Sequence, residues 1–427
     1  MNENRVVVGI DIGTSKIATV IARVDDFLNI LGVSEITSQG IRKGQIVDIV
    51  AAVASITSSL EAAERMAGYS ASHVTVSIGG SHIESMNSKG VVAVSAPQGE
   101  ISASDVARVI DAAKAVSLPS SREIIHVLPR SFTVDGQEGI KDPVGMSGIR
   151  LEVDTHIVSA NSTAIRNLEK ALSEVGVDID SIVYNGYASS LSTLSDTEKE
   201  LGVVLVDIGA GTTDISIYVE GSVAYSSVLA VGARHITNDL AIGLRISLES
   251  AEKIKMFLSN PEKQVRITES TEEVKGRSSD EIDLSSLHLS EEISKVSRKT
   301  LVDGIIRPRL NEVFTFIGLE IKKSGFAGQT PSGLVITGGG AGTVGVVDSA
   351  KRTLAMPVRT GAPSNLKGII DEIQNPTFST VVGLAKYGGS SEPKESLPFG
   401  ISIPRIPGFK GNKIFGKAID LIKSFIP

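Results

Sequence analysis

Apolar runs of strand length alternate with segments of helical period over most of this chain. Two stretches, residues 6–20 and 203–219, each carry two runs of β-branched residues around a glycine-containing tip, which is typical of a β-hairpin. Helices are predicted for residues 46–67 and 162–174, where apolar side chains recur on one side and a glycine follows the last turn. The pattern predicts a mixed α/β protein.

The later hairpin has a tip whose chemistry suits an anion. It reads VVLVDIGAGTTDISI, so an apolar strand ends at Asp207 and the chain turns at Gly209 and Gly211. Glycines let backbone N–H groups approach an anion closely, and the hydroxyls of Thr212 and Thr213 can donate to phosphate oxygens. Asp207 at the strand end can hold a hydrated divalent cation. An ordinary hairpin turn explains a single stretch of this kind equally well.

The earlier hairpin repeats the arrangement. It reads VVVGIDIGTSKIATV, with Asp11 at the end of an apolar strand and Gly13, Thr14 and Ser15 at the tip. A second copy favours a binding role over a chance turn. Two phosphate-type hairpins predict two related lobes that face one nucleotide.

A third glycine tip follows an apolar strand in residues 333–343, which read GLVITGGGAGT. Because glycine has no side chain to obstruct a flat base or a sugar, Gly338, Gly339 and Gly340 are predicted to line an adenosine pocket. On a helix predicted for residues 247–258, Glu252 offers an acceptor and Lys255 a donor for ribose hydroxyls. Three glycine tips in this order predict a nucleotide site more strongly than any one of them.

Length and composition narrow the class of protein. With 427 residues, of which 41% are hydrophobic, the chain can bury more than one core. The formal net charge of −7 argues against nucleic acid as a partner. The absence of cysteine suits a reducing compartment, and we find no pattern of a secretory leader or a membrane-spanning run. We expect the protein on the cytoplasmic side of the membrane.

A separate module is predicted inside the first lobe, from about residue 81 to residue 160. Its predicted elements are strands at residues 91–94, 124–128 and 149–158 and a helix that Ser102 or Ser104 caps. We interpret it as an insertion used for contacts with other proteins. An additional strand layer without such a role is the alternative.

The second lobe is predicted to include a helical region that begins at Gly232. Residues 261–280 are charged and almost without large apolar side chains, so we expect an exposed loop or a weak hairpin there. Residues 289–319 predict one or two helices, interrupted near Pro308.

The C-terminal segment combines a linker with an amphipathic helix. Residues 389–408 are rich in Gly, Ser and Pro. In residues 409–427 apolar side chains fill one arc at about 100° per residue, and lysines lie opposite. An in-plane membrane anchor is favoured over a helix docked on the core, because the linker detaches it. The residues predicted to contact the membrane are Lys413, Ile414, Phe415, Lys417, Ile419, Ile422, Lys423, Phe425 and Ile426.

Taken in order, the motifs resemble those of a known superfamily. The stretches GIDIGTSK, DSIVYNGYASS, VDIGAGTTD, SAEKIK and VITGGGAG look like those of actins, sugar kinases and heat-shock chaperones. Within that group residues 5–427 resemble the FtsA family of bacterial actin-like cell-division proteins. The segments SIGGSHIESMNSKGVV, EIIHVLPRSFTVDG and GIKDPVGMSGIRLEV resemble a subdomain specific to it. The resemblance implies an α/β, actin-like two-lobe ATPase fold with an inserted FtsA-type subdomain and a C-terminal amphipathic helix.

The resemblance also implies a division into subdomains. The core of lobe 1 (1A) would comprise residues 1–82, 161–200 and about 363–388, and the core of lobe 2 (2A) residues 201–231 and 329–362. The inserted subdomain (1C) would span residues 83–160, and a helical, partner-binding subdomain (2B) residues 232–328. Residues 389–408 would be the linker and residues 409–427 the membrane-targeting helix.

By the same resemblance the site binds ATP with Mg²⁺. The residues implied to bind the nucleotide are Gly13, Thr14, Ser15, Lys16, Gly211, Thr212, Thr213, Glu252, Lys255, Gly338, Gly339 and Gly340. Asp11 and Asp207 are implied to flank Mg²⁺ through water. Residues 184–190, YNGYASS, lack the acid that often positions the attacking water in related ATPases, and Asn185 is no base at neutral pH. We therefore expect ATP binding with weak or no hydrolysis.

The implied function is an ATP-binding, actin-like polymer on the cytoplasmic membrane that tethers the FtsZ ring at the division septum. Expected partners are the C-terminal tail of FtsZ, further copies of the chain, anionic lipids and, through residues 83–160, other division proteins. The surface of residues 298–309 with Glu312 is a hypothetical FtsZ contact. Two alternatives remain open, a PilM-like pilus-assembly protein and a small-molecule kinase of the same superfamily.

Overall fold

The computed structural model describes residues 5–95, 99–260, 280–369, 371 and 373–390. Nearly all of the charged segment 261–280 and of the predicted linker lie outside these residues, as does the predicted tail helix with its membrane contacts. Among the residues described, no helix has the length and apolar character needed to cross a bilayer.

The elements follow one another as strands and helices along the chain. The strands are β1 (Arg5–Ile12), β2 (Lys16–Val24), β3 (Leu28–Thr37), β4 (Ile41–Arg42), β5 (Gln45–Ile46), β6 (His73–Ile78), β7 (Glu84–Ala93), β8 (Arg122–Val134), β9 (Gln137–Ile140), β10 (Arg150–Asn161), β11 (Asp178–Tyr184), β12 (Val203–Ile208), β13 (Thr213–Val219), β14 (Ser222–Leu229), β15 (Glu281–Asp283), β16 (Lys295–Ser297), β17 (Leu334–Thr337), β18 (Val358–Thr360) and β19 (Leu366–Gly368). The helices are α1 (Ile49–Ala67), α2 (Ala103–Lys114), α3 (Ser162–Val175), α4 (Asn185–Thr193), α5 (Asp196–Leu201), α6 (Ala233–Leu244), α7 (Leu248–Ser259), α8 (Arg298–Leu301), α9 (Arg307–Lys323), α10 (Val346–Leu354) and α11 (Ser379–Ser390).

Two of the large sheets share one strand order. The first runs β3-β2-β1-β6-β11, with β19 added beside β3, and the second runs β14-β13-β12-β17-β18. In each sheet the first three strands are antiparallel, and the other two are added in parallel. A parallel neighbour needs a crossover, which α1 supplies before β6 and the helical region supplies before β17. The two-lobe organisation predicted from the paired hairpins is confirmed.

A third sheet, β7-β10-β8-β9, is formed between β6 and α3. Strand β8 extends beyond residue 128, where the predicted strand ends, and passes through Pro129. The register shifts at this place, because Thr155 faces Pro129 whereas Asp154 faces Ser131. The bulge leaves Arg130 out of the pairing, so the strand continues although proline has no N–H for the ladder.

Helix α2 covers this third sheet. Of the two serines considered as caps, Ser102 is the one that caps the helix, and its hydroxyl and the Asp105 carboxylate form a capping box. A Cβ added at Gly90 would lie 2.2 Å from the carbonyl oxygen of Val109, so the helix backbone packs directly on β7. The module therefore has its own sheet, helix and small core.

The helical region differs from the prediction at two places. The helix expected from residue 289 begins at Arg298, because Lys295–Ser297 forms β16 and pairs with β15. Near Pro308 the helix is not broken: a π-helical turn, Val302–Ile306, precedes α9, and Pro308 lies in the first turn of that helix. A wider turn before the proline accommodates a residue without an N–H donor.

Helices α4 and α11 cross at very short range between the two sheets. A Cβ added at Gly383 would lie 1.8 Å from the carbonyl oxygen of Ala188, so only glycine permits this crossing. Helix α11 continues through Ser390 and so includes the first two residues of the predicted linker, 389 and 390. Its last turn packs on the sheet, since a Cβ at Gly389 would approach Val24 to 2.9 Å. The predicted linker therefore begins too early.

Candidate functional site

The tips of the two predicted phosphate hairpins have the same turn and lie against each other. In each hairpin the N–H of the first glycine donates to the carbonyl three residues later, over 3.0 Å for Gly13 and 2.9 Å for Gly209. A Cβ added at Gly211 would lie 2.9 Å from the hydroxyl oxygen of Thr14. One tip from each lobe therefore meets the other at the same point.

The remaining tip residues have different surroundings. Ser15 is exposed, whereas Thr212 and Thr213 are buried. The Thr213 hydroxyl donates to the carbonyl of Val231 over 2.7 Å. Because a hydroxyl has one proton, Thr213 has none left for a phosphate and can offer only its backbone N–H, which differs from the sequence prediction.

Asp11 lies at the end of β1 with 7% of its surface exposed. The Ser77 hydroxyl donates to its carboxylate over 2.9 Å and accepts the N–H of Ile12 over the same distance. Burial raises the pKa of Asp11 to about 6; the charge of Lys16 and the Ser77 hydrogen bond oppose this, and the charge of Asp207 adds to it. The two aspartates are therefore close enough to influence each other.

Asp207 occupies the equivalent place at the end of β12. The hydroxyls of Ser189 and Thr380 both donate to its Oδ2, the latter over 3.0 Å. Burial raises the pKa of Asp207, and these hydrogen bonds and Lys16 act in the opposite direction. The carboxylate is thus held by one residue of α4 and one of α11.

A third buried carboxyl group, Asp214, was missed by the sequence reasoning. It faces Asp207 directly across the β12–β13 pair. Burial, with the charges of Asp207 and Asp11, raises the pKa of Asp214 well above its usual value. Its Oδ1 is buried without a hydrogen-bond partner. Like charges opposite each other are unfavourable, so burial and the facing Asp207 both favour the protonated form of Asp214. An acid within a run of apolar β-formers was the available signal.

Lys16 contacts Glu35 on β3 and the turn of residues 376–378 that precedes α11. Its ammonium group donates to the carbonyl of Thr377 over 2.6 Å and lies 3.3 Å from a carboxylate oxygen of Glu35. It also lies 4.5 Å from the centre of the Phe378 ring. Its charge lowers the pKa of both aspartates, so it lies near them while its hydrogen bonds are made elsewhere.

The third glycine tip adjoins the root of the second hairpin. Gly338 has a φ of 81°, and a Cβ there would lie 2.1 Å from Oδ1 of Asp207. A Cβ on Gly340 would lie 2.4 Å from the Ile208 side chain, while Gly339 has only Thr377 at 4.0 Å. The structure therefore brings this predicted adenosine turn next to a predicted metal ligand.

The predicted ribose pair lies on α7 and is bonded to α6. Lys255 donates to Glu252 over 2.7 Å and to the Thr237 hydroxyl over 2.9 Å. The N-terminus of α6 in turn holds the second hairpin, since the N–H of Ala233 donates to the carbonyl of Gly209 over 2.9 Å. The pair is thus linked to the second hairpin through α6.

The start of α4 has no carboxylate, as the sequence indicates. Its first residue is Asn185, whose Oδ1 is buried and has no hydrogen-bond partner. A Cβ on Gly79 would lie 2.8 Å from its Nδ2, so the amide lies against the end of β6. Sequence reasoning also missed Ser77, Ser189 and Thr380, which are small hydroxyl residues in β6, α4 and α11.

Two sheets with one strand order, a glycine hairpin at each first strand and a buried aspartate before each tip define an actin-like protein. Family models match the chain in two places, "SHS2 domain inserted in FTSA" at residues 80–159 and "Cell division protein FtsA" at residues 204–383. The chain belongs to the FtsA family of cell-division proteins.

Named relatives agree over nearly the whole length. The cell division protein FtsA of Pseudomonas aeruginosa is 37% identical over 91% of this chain and 90% of its own length. That of Borreliella burgdorferi is 40% identical over 89% and 90%, and that of Bacillus subtilis 34% identical over 95% and 88%. The chain is thus an actin-like cell-division protein.

Solved structures of lower similarity share the fold. A chain of a PilM-PilN type IV pilus biogenesis complex has a TM-score of 0.62 at 15% identity, covering 90% of this chain and 99% of that one. The ethanolamine utilization protein EutJ from Carboxydothermus hydrogenoformans has a TM-score of 0.50 at 15% identity, covering 90% of each chain. At this identity the likeness shows the fold alone.

Proposed function

We propose that the cleft between the two hairpins binds ATP. The observation that carries this proposal is the contact between Gly211 of lobe 2 and Thr14 of lobe 1, with a buried aspartate behind each hairpin. Backbone N–H groups of both tips would hold phosphate oxygens, and the turn at Gly338 would receive the adenosine. Glu252 and Lys255 would contact the ribose.

Mg²⁺ is proposed to bind between Asp11 and Asp207 through water. The donor set fits a hard cation, because both groups are carboxylates and both are buried at the ends of their strands. Burial also raises the pKa of each, which makes the ionised forms costly when no cation is bound. A bound cation would offset the cost of ionising them. Within the described ranges no cluster of three or more His, Cys, Asp and Glu side chains could hold a metal. A cation with few protein ligands keeps most of its waters.

Hydrolysis is proposed to be slow. Asn185 is the polar residue at the start of α4, and an amide cannot take a proton from water at neutral pH. This also disfavours the alternative of a small-molecule kinase, which needs a general base for its acceptor hydroxyl.

At the level of the cell, we propose a polymer on the cytoplasmic face of the membrane that tethers the FtsZ ring at the septum. Support comes from membership of the family and from the lysine-flanked apolar arc of residues 409–427. We also propose that the chain divides into subdomains 1A (residues 1–82, 161–200 and about 363–388), 1C (83–160), 2A (201–231 and 329–362) and 2B (232–328). Subdomain 1C would meet other division proteins.

The FtsZ tail is proposed to bind the helical subdomain, residues 232–328. Ile242 is exposed there by 76%, which suits a partner surface. Arg309 is already engaged in this region, since its guanidinium donates to Asp239 over 2.6 and 2.9 Å. A contact would therefore involve exposed side chains of this subdomain such as Ile242 more than Arg309 itself.

Electron microscopy on a monolayer of anionic lipid tests the proposal. The full chain with ATP and Mg²⁺ should form filaments on the lipid, and the chain without nucleotide should form fewer. Asp207→Asn should resemble the nucleotide-free sample, because the amide cannot neutralise a cation. Equal filament formation with and without ATP would contradict the nucleotide part of the proposal.

A further inference from the structure

A short hairpin outside the predicted site reaches the point where the two phosphate loops meet. Strands β4 and β5 pair Arg42 with Gln45, so Lys43 and Gly44 form a two-residue tip. Both have positive φ, 49° and 73°. Two successive residues of this kind are typical of a type I′ turn. We call this element, β4 with β5, the cleft hairpin.

The tip of the cleft hairpin is packed between the lobes. The N–H of Gly44 donates to the hydroxyl of Thr14 over 3.0 Å. A Cβ added at Gly211 would lie 3.3 Å from the Cα of Lys43, and a Cβ at Gly80 would lie 2.9 Å from the Lys43 carbonyl oxygen. The backbone of Lys43 thus lies between Gly211 of lobe 2 and Gly80 of lobe 1.

Lys43 brings a positive charge that nothing else in the described part of the protein neutralises. Its side chain is exposed, and its ammonium group makes no hydrogen bond or ion pair with any described residue. Lys16, the lysine of the first phosphate loop, is already bonded to Thr377 and Glu35. Glycine or asparagine suits a left-handed backbone better than lysine, so the turn alone gives no reason for a lysine here.

We propose that Lys43 binds the terminal phosphate of a nucleoside triphosphate and couples the cleft hairpin to both phosphate loops through that group. The inference rests on the proposed function. The predicted adenosine turn adjoins Asp207 at the root of the second loop, whereas Lys43 adjoins Gly211 at its tip. A phosphate at Lys43 is therefore the one farthest from the adenosine.

An ammonium group on a long stem meets a phosphate as a point charge and needs no fixed geometry. A nucleoside diphosphate lacks the terminal group and leaves Lys43 unpaired. Lys43 therefore distinguishes the triphosphate from the diphosphate, and the contact across the cleft depends on which nucleotide is bound.

Titration calorimetry of the full chain with ATP and with ADP, in the presence of Mg²⁺, tests this role. Lys43→Asn keeps a residue that tolerates positive φ and removes the charge. It should weaken ATP binding by about tenfold and change ADP binding by less than about twofold. Lys43→Arg should restore most of the ATP affinity.

Arg245→Asn is the matched control, since Arg245 is also a cation at positive φ, 57°, but lies at the end of α6. It should change neither affinity. If Lys43→Asn unfolds, Lys43→Gly replaces it, because glycine fits the turn. Equal loss of ATP and ADP binding, or no loss, would overturn the role of Lys43. Failure of the unaltered protein to bind ATP would instead overturn the proposed function.

Discussion

At the scale of single residues, the shape of the cleft depends on glycines at positions where no side chain fits. Gly338 adopts a φ of 81°, and an added Cβ would lie 2.1 Å from Asp207 and 2.7 Å from the carbonyl oxygen of Ile208. Any other residue would have both an unfavourable backbone and a clash with the second aspartate. Gly342, four residues later, has a normal φ and no atom within 4 Å of an added Cβ.

Gly338→Ala is therefore expected to lower the free energy of unfolding by about 2 kcal/mol and to weaken ATP binding by at least about tenfold. The reason is that Asp207 must move to make room for the methyl group. Urea unfolding and titration calorimetry measure the two effects. Gly342→Ala is the control and should change stability by less than about 0.5 kcal/mol. Similar behaviour of the two variants would contradict the packing argument.

The raised pKa of Asp11 predicts a pH dependence that Mg²⁺ reverses. In the metal-free protein the pKa of Asp11 is about 6 in the folded state, above its ordinary value of 3.8. The contribution of Asp11 to the free energy of unfolding is therefore fully present below about pH 4 and is lost as pH rises to about 6. Mg²⁺ binds the ionised form. The increase in melting temperature caused by Mg²⁺ with ATP should therefore grow from about pH 5 to about pH 7.5.

Differential scanning calorimetry of the protein and of Asp11→Asn checks this expectation. The variant should lose both the Mg²⁺ effect and its growth with pH. A variant that keeps the full pH-dependent response would show that another group titrates.

At the scale of elements, the inserted sheet is joined to lobe 2 by hydrogen bonds along β14. The two ring nitrogens of His156 lie 2.8 Å from Oδ1 of Asn87 and 3.0 Å from Oγ of Ser226. The Ser85 hydroxyl donates to the carbonyl of Ser226 over 2.7 Å. Since β14 pairs with β13, this seam lies one strand away from the second phosphate hairpin.

Protonation of His156 is expected to weaken the seam. Burial, helped by the charges of Arg130 and His126, lowers the pKa of His156 from 6.5 to about 3. Below about pH 6.5, His156 takes up a proton in the unfolded chain but not in the folded chain. The free energy of unfolding therefore falls as pH falls from about 6.5 to about 3. In His156→Gln the slope should be smaller by up to about 1.4 kcal/mol per pH unit.

Urea unfolding between about pH 4.5 and about pH 7 measures this slope. His73→Gln is the control, because the His73 side chain is 58% exposed and lies outside the seam. An unchanged slope in His156→Gln would assign the acid sensitivity to other groups, such as His126 or His82, whose pKa values burial also lowers.

At the scale of the whole molecule, we propose that the tail, residues 409–427, holds the chain on a membrane. Deletion of residues 409–427 should abolish sedimentation with anionic liposomes and leave ATP binding unchanged. Each lysine near an anionic surface contributes about 1 kcal/mol, so replacement of Lys413, Lys417 and Lys423 by Glu should also abolish it. If the truncated protein still sediments, the anchor lies elsewhere.

Much of the fold followed from local pattern. Hairpins, buried strands and the capped helices have short-range signals, and two copies of one hairpin predicted two lobes. Two of the predictions that were wrong concern prolines, because a neighbouring element allowed a strand or a helix to continue where proline usually ends it. Strand β8 passes Pro129 because its partner β10 allows a bulge, and α9 tolerates Pro308 because a π-helical turn precedes it.

For the site, the sequence by itself determined the chemistry: Asp11, Asp207 and the glycine tips are recognisable because each motif is contiguous. Tertiary structure decided which groups remain free to act. Asp214 lies opposite Asp207, and the Thr213 hydroxyl donates its hydrogen bond to the carbonyl of Val231. Lys16 donates to the carbonyl of Thr377, whereas Lys43 lies beside Gly211 without a partner among the described residues. These outcomes depend on burial and on contacts between residues far apart in the chain, which no local pattern records.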